Sequence, residues 1–503
     1  MANLANLANL ANAHRSGSFG AGGARRIPLR RSGWPLLVAL LAGCAVGPDF
    51  ERPAAPDVAG YTAAPLPDRT AAAATALGQT QHFDLGAPVE AQWWRSLGSA
   101  RLDAWITQAL LASPTLAAAE ATLRQAREVY AAQAGSTLYP QIDAGLNAQR
   151  QRLNPNMLGQ SGDAREFSLY YAGIGVHYRL DLAGGNRRAL EALAARADYR
   201  RYELEGARLT LAANIATSAI ARARFAGQIA ATQAMVDAQD EQLALTRQRV
   251  RLGHAAPDDV SALQAQAERT RAELPALRKQ LEQSEHLLAV LAGQAPGAAR
   301  VPDFELEEFT LPAALPLVLP SALARGRPDI QAAEALLHAA NAEYGVAVAR
   351  LYPQVELSAN FGSQALTTGL LFGAGSAVWN VLGQLTQPLF DPGLPAAKRA
   401  SLAALDAAAA NYQSVVLDAL RNVADALRAI DHDAQALVAW AAADAAARDS
   451  LDSIERQYTL GAASYVQLLI ARHQAQQNRI QLIAAQAQRL AASAALFQAM
   501  GGG

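Results

Sequence analysis

The side chains that most often carry chemistry are sparse and scattered in this chain. Cys44 is the only cysteine among 503 residues, so no disulfide can form within the chain. The eight histidines fall far apart. No H-E-x-x-H pair, Cys/His metal spacing, Walker loop or G-x-S-x-G turn is present. His177 lies on an alternating stretch and His254 follows a glycine, and a solvated or packed imidazole accounts for both. Arg187, Arg188, Arg196, Arg200, Arg201 and Arg208 form a basic run. Glu191, Asp198, Glu203 and Glu205 are interleaved with it, so a paired, solvated helix face explains the run at least as well as a charged tunnel wall. A formal net charge of −1 with 17% charged and 51% hydrophobic residues leaves no footprint for nucleic acid. The chain is therefore expected not to be an enzyme and to hold no metal.

What surrounds Cys44 gives that thiol a chemistry. Arg25, Arg26, Arg30 and Arg31 precede an apolar run from Trp34 to Leu41, too short to span a bilayer but suited to the core of an export signal. The run ends in Leu41-Ala42-Gly43-Cys44, which resembles the bacterial lipobox, where cleavage before the cysteine leaves a diacylated, then N-acylated, terminus. Cys44 is thus expected to carry a covalent lipid, the only prosthetic group. Ala45 next to it resembles the pattern sorted to the outer membrane. The Ala-Asn-Leu repeats of residues 2–12 lengthen the leader and should be absent from the mature chain. No apolar helical run follows Cys44, so membrane insertion must be through strands.

The elements that would do this are written twice. Pro114-Thr115-Leu116-Ala117-Ala118-Ala119-Glu120-Ala121 returns 214 positions later as Pro328-Asp329-Ile330-Gln331-Ala332-Ala333-Glu334-Ala335. Leu138-Tyr139-Pro140-Gln141-Ile142 returns as Leu351-Tyr352-Pro353-Gln354-Val355, and Leu252-Gly253 as Leu460-Gly461. A unit of this size is too long for a solenoid repeat. The chain divides into a leader (1–43), an N-terminal segment (44–112), a first copy (113–293), a Pro-rich linker (294–326) and a second copy (327–503).

Within each copy the hydrophobic period changes. Ile142, Ala144, Leu146 and Ala148 alternate with Gln141, Asp143, Gly145, Asn147 and Gln149, the period of a strand with one apolar and one polar face. Val355, Leu357, Ala359 and Phe361 repeat that register against Gln354, Glu356, Ser358, Asn360 and Gly362. A third strand follows a polar loop and carries Tyr170, Ala172, Ile174, Val176, Tyr178 and Leu180; a weaker fourth carries Trp379, Val381 and Leu385. One such strand alone fits an ordinary half-buried sheet better. Two hairpins of strands about ten residues long, with aromatics near the ends, also fit an outer-membrane barrel. Four strands in lipid would leave two unpaired edges, so the working unit must contain more than one copy.

The rest is helical. No proline interrupts 186–252, a stretch long enough for a rod of about 100 Å. Gly253 ends it, and Pro257-Asp258-Asp259 restarts a helix with proline and carboxylates where the first turn favours them. Val260, Leu263, Ala267, Thr270, Leu274, Leu277, Leu281, Ser284, Leu288 and Leu291 make a coiled-coil seam that Pro275 should kink. The second copy repeats the seam with Val423, Leu427, Ile430 and Leu437 before Gly461, and Ile483, Ala487, Leu490 and Phe497 after it.

Cys44-Ala45-Val46-Gly47-Pro48-Asp49-Phe50, Trp93-Trp94, Leu102-Asp103, the paired Tyr-Pro-Gln motifs and the closing Leu496-Phe497-Gln498-Ala499-Met500 together resemble the outer-membrane efflux proteins, of the TolC/OprM-like, NodT-type lipoprotein kind. The resemblance spans essentially the whole mature chain. It implies a mainly α protein with a membrane β-barrel portion: a homotrimer in which four strands per protomer close a 12-stranded barrel and the long helices form a periplasmic tunnel. It further implies a periplasmic adaptor and an inner-membrane pump, usually of the resistance-nodulation-division class, as partners in expelling small molecules. Leu252, Gly253, Leu460 and Gly461 resemble the family's tip hairpins and are the expected adaptor contacts. Relatives commonly place a bulky aliphatic residue and an aspartate at the positions of Val466 and Ile470. Val466 fits and Ile470 departs, so the resting gate is expected to be an apolar constriction of these two, with Asp258 and Asp259 supplying the entrance's negative charge. Two other readings stand beside this one: a similar duct for type I protein secretion or metal-ion export, and a periplasmic coiled-coil lipoprotein without a pore.

Overall fold

Proline and glycine punctuate two long helical hairpins, each built by the same local rules. The computed structural model describes residues 45–502 apart from 59, 155–158 and 160; the leader and Cys44 lie outside the described residues. Helix α1 runs over Ala100–Ala112, α2 over Pro114–Leu138, α3 over Gly185–Arg251, α4 over Pro257–Leu291, α5 over Pro320–Gly326, α6 over Pro328–Ala349, α7 over Gly393–Thr459 and α8 over Tyr465–Ala499. The duplication is literal: α3 and α7 are each 67 residues, α4 and α8 each 35. Pro114, Pro257 and Pro328 open their helices at the first turn, where a missing N–H costs nothing. The Asp181 carboxylate starts α3 by accepting from the Asn186 and Arg187 amides at 3.0 and 2.9 Å. The expected seams are the packed faces, with Leu263, Ala267, Thr270, Leu274, Ser284 and Leu288 buried along α4. Helix α4 runs unbroken through Pro275.

Four strands form one antiparallel sheet in the order β2-β3-β5-β6: β2 Gln141–Leu153, β3 Arg165–Leu180, β5 Gln354–Ala365 and β6 Ala377–Thr386. Three exceed the expected ten residues, at 13, 16 and 12. The cause is pairing beyond the apolar stretch: Gln149 to Leu153 continue bonding to Leu169 to Arg165. Among the described residues no second layer covers this sheet, and twelve of the thirteen β2 residues are exposed. That excludes the half-buried soluble sheet.

The core lies elsewhere, where the segments flanking the copies wrap the middle of the hairpins. Strand β1, His82–Leu85, pairs in parallel with β4, Ala314–Leu317, joining the N-terminal segment to the linker between copies. Beside them Trp93, Leu97, Leu102, Ile106, Phe304 and Leu315 pack with Ile215 of α3 and Leu490 and Phe497 of α8. The Trp93 ring stacks on Phe497 at 5.4 Å. Arg489, 1% exposed, donates to the Leu77 and Gln79 carbonyls, Thr70 Oγ1 and Gln81 Oε1 at 3.0 to 3.2 Å, stitching the loop before β1 to α8. Burial holds its pKa below the usual arginine value.

Trp93→Ala removes the most deeply buried tryptophan of this core and its stacking on Phe497, so it should cost about 3–5 kcal/mol of stability. The check is the melting midpoint of the detergent-solubilised protein, which should fall well below that of the parent.

Candidate functional site

The register of the sheet separates two chemistries. On one face lie the rows Ile142–Val176–Ala359–Val381 and Ala144–Ile174–Phe361–Trp379, followed by Tyr178–Leu357 and Leu180–Val355–Leu385. On the other lie Asp143–Gly175–Asn360–Asn380, Gln141–His177–Ser358 and Arg179–Glu356–Gln384. Thus the structure gathers Ile142, Leu146, Val355, Leu357, Ala359 and Phe361 on one surface and Asp143, Asn147, Glu356 and Asn360 on its back. The apolar side is uncovered, with Ile142 71% and Trp379 75% exposed. Such a surface is stable only against lipid or another apolar body. On the polar face the Tyr171 ring lies across Gly173 and Gly362: a Cβ built on Gly173 would stand 2.6 Å from Tyr171 Cζ, and one on Gly362 2.9 Å from Cε2. Only glycines leave room for that ring. Alternation alone did not reveal this, although Tyr171 and Gly173, two apart on one strand face, were the available signal.

Below the sheet the residues that follow Cys44 are clamped. Val46 N donates to the Ala183 carbonyl at 3.0 Å, and Gly47 passes so close to Gly345 that a Cβ would stand 2.8 Å from its Cα. Arg188, its side chain 5% exposed, binds Asp49 Oδ1 at 2.6 Å and Glu191 Oε2 at 2.8 Å. The other Glu191 oxygen meets His338 Nε2 at 2.8 Å, and His338 stacks on Phe50 at 4.3 Å. Burial pushes the Glu191 carboxyl up, but its bonds to Arg188 and His338 outweigh that and hold it below the usual range. Sequence reasoning took Arg188 for a surface charge. Its neighbours do pair as that reading expected, Arg200 with Glu203 and Arg201 with Asp198, while Arg196 and Arg208 bind Glu343 and Glu120 of other helices.

At the far end of the helices are the two turns. Gly253 and Gly461 adopt left-handed φ of 76° and 74°. In the first turn Gly253 N donates to the Val250 carbonyl at 3.0 Å and His254 N to Arg249 at 2.8 Å; in the second, Gly461 N donates to Tyr458 at 3.0 Å and Ala462 N to Gln457 at 2.8 Å, the Schellman closure in both. Leu252 and Leu460 protrude, 63% and 84% exposed. The chain is helical again at Pro257, where the sequence predicts the restart, and at Tyr465, so Val260 and Val466 sit inside helices. Asp259 Oδ2 accepts from the Ala256 amide at 3.1 Å, and its counterpart Gln467 accepts from Ser464 N at 2.7 Å. Both are capping residues, and Asp258 stays exposed in the first turn. Val466 and Ile470 share the uncovered face of α8, 57% and 64% exposed, opposite buried Leu468 and Ala471.

The two tips are also tied together, which the sequence did not disclose. Arg249 of α3 binds the Tyr458 hydroxyl of α7, and Tyr458 packs on Tyr465 with ring centroids 5.8 Å apart. Arg472 of α8 reaches Glu455 at 2.7 Å and Gln242 of α3 at 3.0 Å. Gln266 of α4 meets His473 at 3.3 Å. Burial pushes the Tyr465 hydroxyl up to about 12.

A protomer that offers a lipid-compatible sheet at one end of paired helical hairpins is built as part of a membrane-spanning duct. Among the described residues no helix is long and apolar enough to cross a membrane. The sequence model of the family described as outer membrane efflux protein matches residues 105–294 and 319–502. The chain belongs to that family, one of channels rather than enzymes. It is 30% identical over 470 residues, 92% of this chain and 93% of the relative, to TtgC of Pseudomonas putida, described as a probable efflux pump outer membrane protein. It is 32% identical over 463 residues, 88% and 94% of the two chains, to OpmQ of Pseudomonas aeruginosa, described as a pyoverdine export outer membrane protein. The solved outer-membrane channel OprN matches with a TM-score of 0.82 at 27% identity, over 92% of this chain and 99% of that one. The fold is TolC-like, and the protein is an outer-membrane efflux channel whose helices extend into the periplasm.

Two measurements check this geometry. Leu357→Arg places a charge on the apolar face and should cost about 2–4 kcal/mol near the midplane, whereas Glu356→Gln on the back should leave the fold intact. Inserted yield and heat-resistant assembly report both; the reverse order would invert the faces. The depressed Glu191 stabilises the fold above the unfolded carboxylate pKa of about 4.3 and loses that contribution as pH falls through its folded value. Glu191→Gln should therefore melt below the parent at neutral pH, with the gap closing in acid.

Proposed function

We propose that three copies of this chain close a 12-stranded barrel and act as the exit duct of a tripartite pump that expels small molecules. The carrying observation is the pair of free sheet edges. Among the described residues β2 and β6 each bond to one neighbour only, and in hydrocarbon an unpaired strand edge costs several kcal/mol per group. Pairing β2 of one copy with β6 of the next satisfies both edges and turns the apolar face outward. The names of the relatives, an efflux pump component and a pyoverdine exporter, favour small molecules over protein secretion or metal-ion export. A helical spacer without a pore would have no use for the sheet.

In this assembly Leu252, Gly253, Leu460 and Gly461 form the docking surface for a periplasmic adaptor, and an inner-membrane pump of the resistance-nodulation-division class supplies the energy. Val466 and Ile470, exposed on one face of α8, meet around the threefold axis and close the resting channel without binding ions. Asp258 and Asp259 leave a weak negative charge at the entrance. Cys44 carries a lipid that supplements the barrel, at about 0.8 kcal/mol per buried methylene.

Purified protein should have the native mass of three copies and conduct in planar bilayers; a non-conducting monomer would end this reading. Val466→Ser with Ile470→Asp should raise resting conductance, and no change would remove the gate from these residues. Labelled palmitate should enter the parent but not Cys44→Ala.

A further inference from the structure

The outer face of β2 changes character at one end. Its apolar series Ile142, Ala144, Leu146 and Ala148 continues in the same register as Arg150 and Arg152, which pair across the sheet with Ser168 and Glu166. Their side chains are 74% and 69% exposed, and among the described residues Glu166 is the one acid paired with them, 3.1 Å from Arg150 and 3.9 Å from Arg152. This end lies away from the helices, so it is the outward, extracellular end. At the periplasmic end the same face finishes in Ile142, Leu180, Val355 and Leu385, without a cation among the described residues. An arginine on a lipid-facing surface is tolerated only at headgroup depth. On the same face of the sheet, the loop between β5 and β6 folds over the outer surface: Ser363 Oγ bonds to the Leu371 carbonyl and to Ser376 Oγ. Phe372, 81% exposed, then flanks an open groove of about 680 Å³ floored by Leu146, Ile174 and Phe361. Leu146 and Arg150 are four residues apart on one strand face, about 14 Å.

We propose that Arg150 and Arg152 with this groove form a binding site for the phosphorylated, multiply acylated glycolipid of the outer leaflet. The guanidinium pair takes a phosphate and Leu146, Ile174, Phe361 and Phe372 take an acyl chain. Two cations against one carboxylate leave net positive charge for an anionic headgroup, and planar guanidinium forks suit phosphate oxygens. The groove continues the lipid-facing surface, which favours a lipid over a protein ligand. The site rests on the proposed barrel, whose apolar face points outward.

The test uses full-length assembled protein in detergent with purified diphosphoryl lipid A as the probe, retention being read by native mass spectrometry. Arg150→Gln with Arg152→Gln should lower retention by about tenfold or more. Phe372→Ala should weaken it independently of headgroup charge. Arg165→Gln removes a charge from the opposite face of β3 and should leave retention unchanged. Dephosphorylated lipid should bind the parent as weakly as phosphorylated lipid binds the double variant. Parent and double variant retaining lipid A equally, or millimolar inorganic phosphate displacing it completely, overturns the lipid site. Conductance of the same preparation separates the two failures: a conducting parent with unchanged retention sinks only the lipid site, and a non-conducting parent sinks the barrel reading beneath it.

Discussion

A backbone amide in hydrocarbon must find a partner, and in this chain the four membrane strands cannot supply all the partners themselves. The sheet runs β2-β3-β5-β6 with both outer strands open along one side. That deficit governs much of the remaining structure. It sets a use for the internal duplication, since two hairpins per chain bring four strands to one sheet. The apolar face of the same sheet is uncovered as well, with Leu146 84% and Trp379 75% exposed. In a water-soluble protein such exposure would be a liability.

Because the sheet buries almost nothing in one copy, the protomer's own stability comes from the middle of the helices. The N-terminal segment and the linker between copies are wrapped there around Trp93, Phe304, Leu315 and Phe497. These segments do not belong to the duplicated pattern, and they break the pseudo-symmetry at the level where two similar hairpins must be told apart. The clamp on residues 45–50 has the same asymmetry. Ala183 at the junction of the first copy accepts from Val46 N of the N-terminal segment, whereas Leu389 and Phe390 at the matching junction of the second copy are left 93% and 91% exposed.

The tips show one local rule serving two purposes. Glycine at 253 and 461 relieves left-handed strain, and the tight closure it allows pushes Leu252 and Leu460 outward. Asp259 and Gln467 stand at equivalent capping positions, and the uncharged Gln467 makes the same backbone bond that the carboxylate of Asp259 makes in the first copy. The bonds joining the tips, Arg249 to Tyr458 and Arg472 to Gln242, link helices of different copies, while Arg472 to Glu455 ties the two helices of the second copy. Parting the hairpins at their tips therefore means breaking these polar contacts.

The sequence determined whatever depends on near neighbours. Period-two alternation assigned the faces of the strands, three-four spacing assigned the seams of the coiled coils, and proline and glycine placed the turns to within a few residues. The duplication fixed which elements would match, down to equal helix lengths. Strand ends were misjudged because pairing, not hydropathy, carries β2 and β3 out to Leu153 and Arg165. Tertiary structure alone decided the rest: Tyr171 covering two glycines, Arg188 turned inward to hold Asp49, and Arg489 buried among neutral oxygens. An arginine in a helix reads the same whether it meets water or a carbonyl 412 residues away. Its role is set by what the fold brings to it, and that information lies in no local window of the chain.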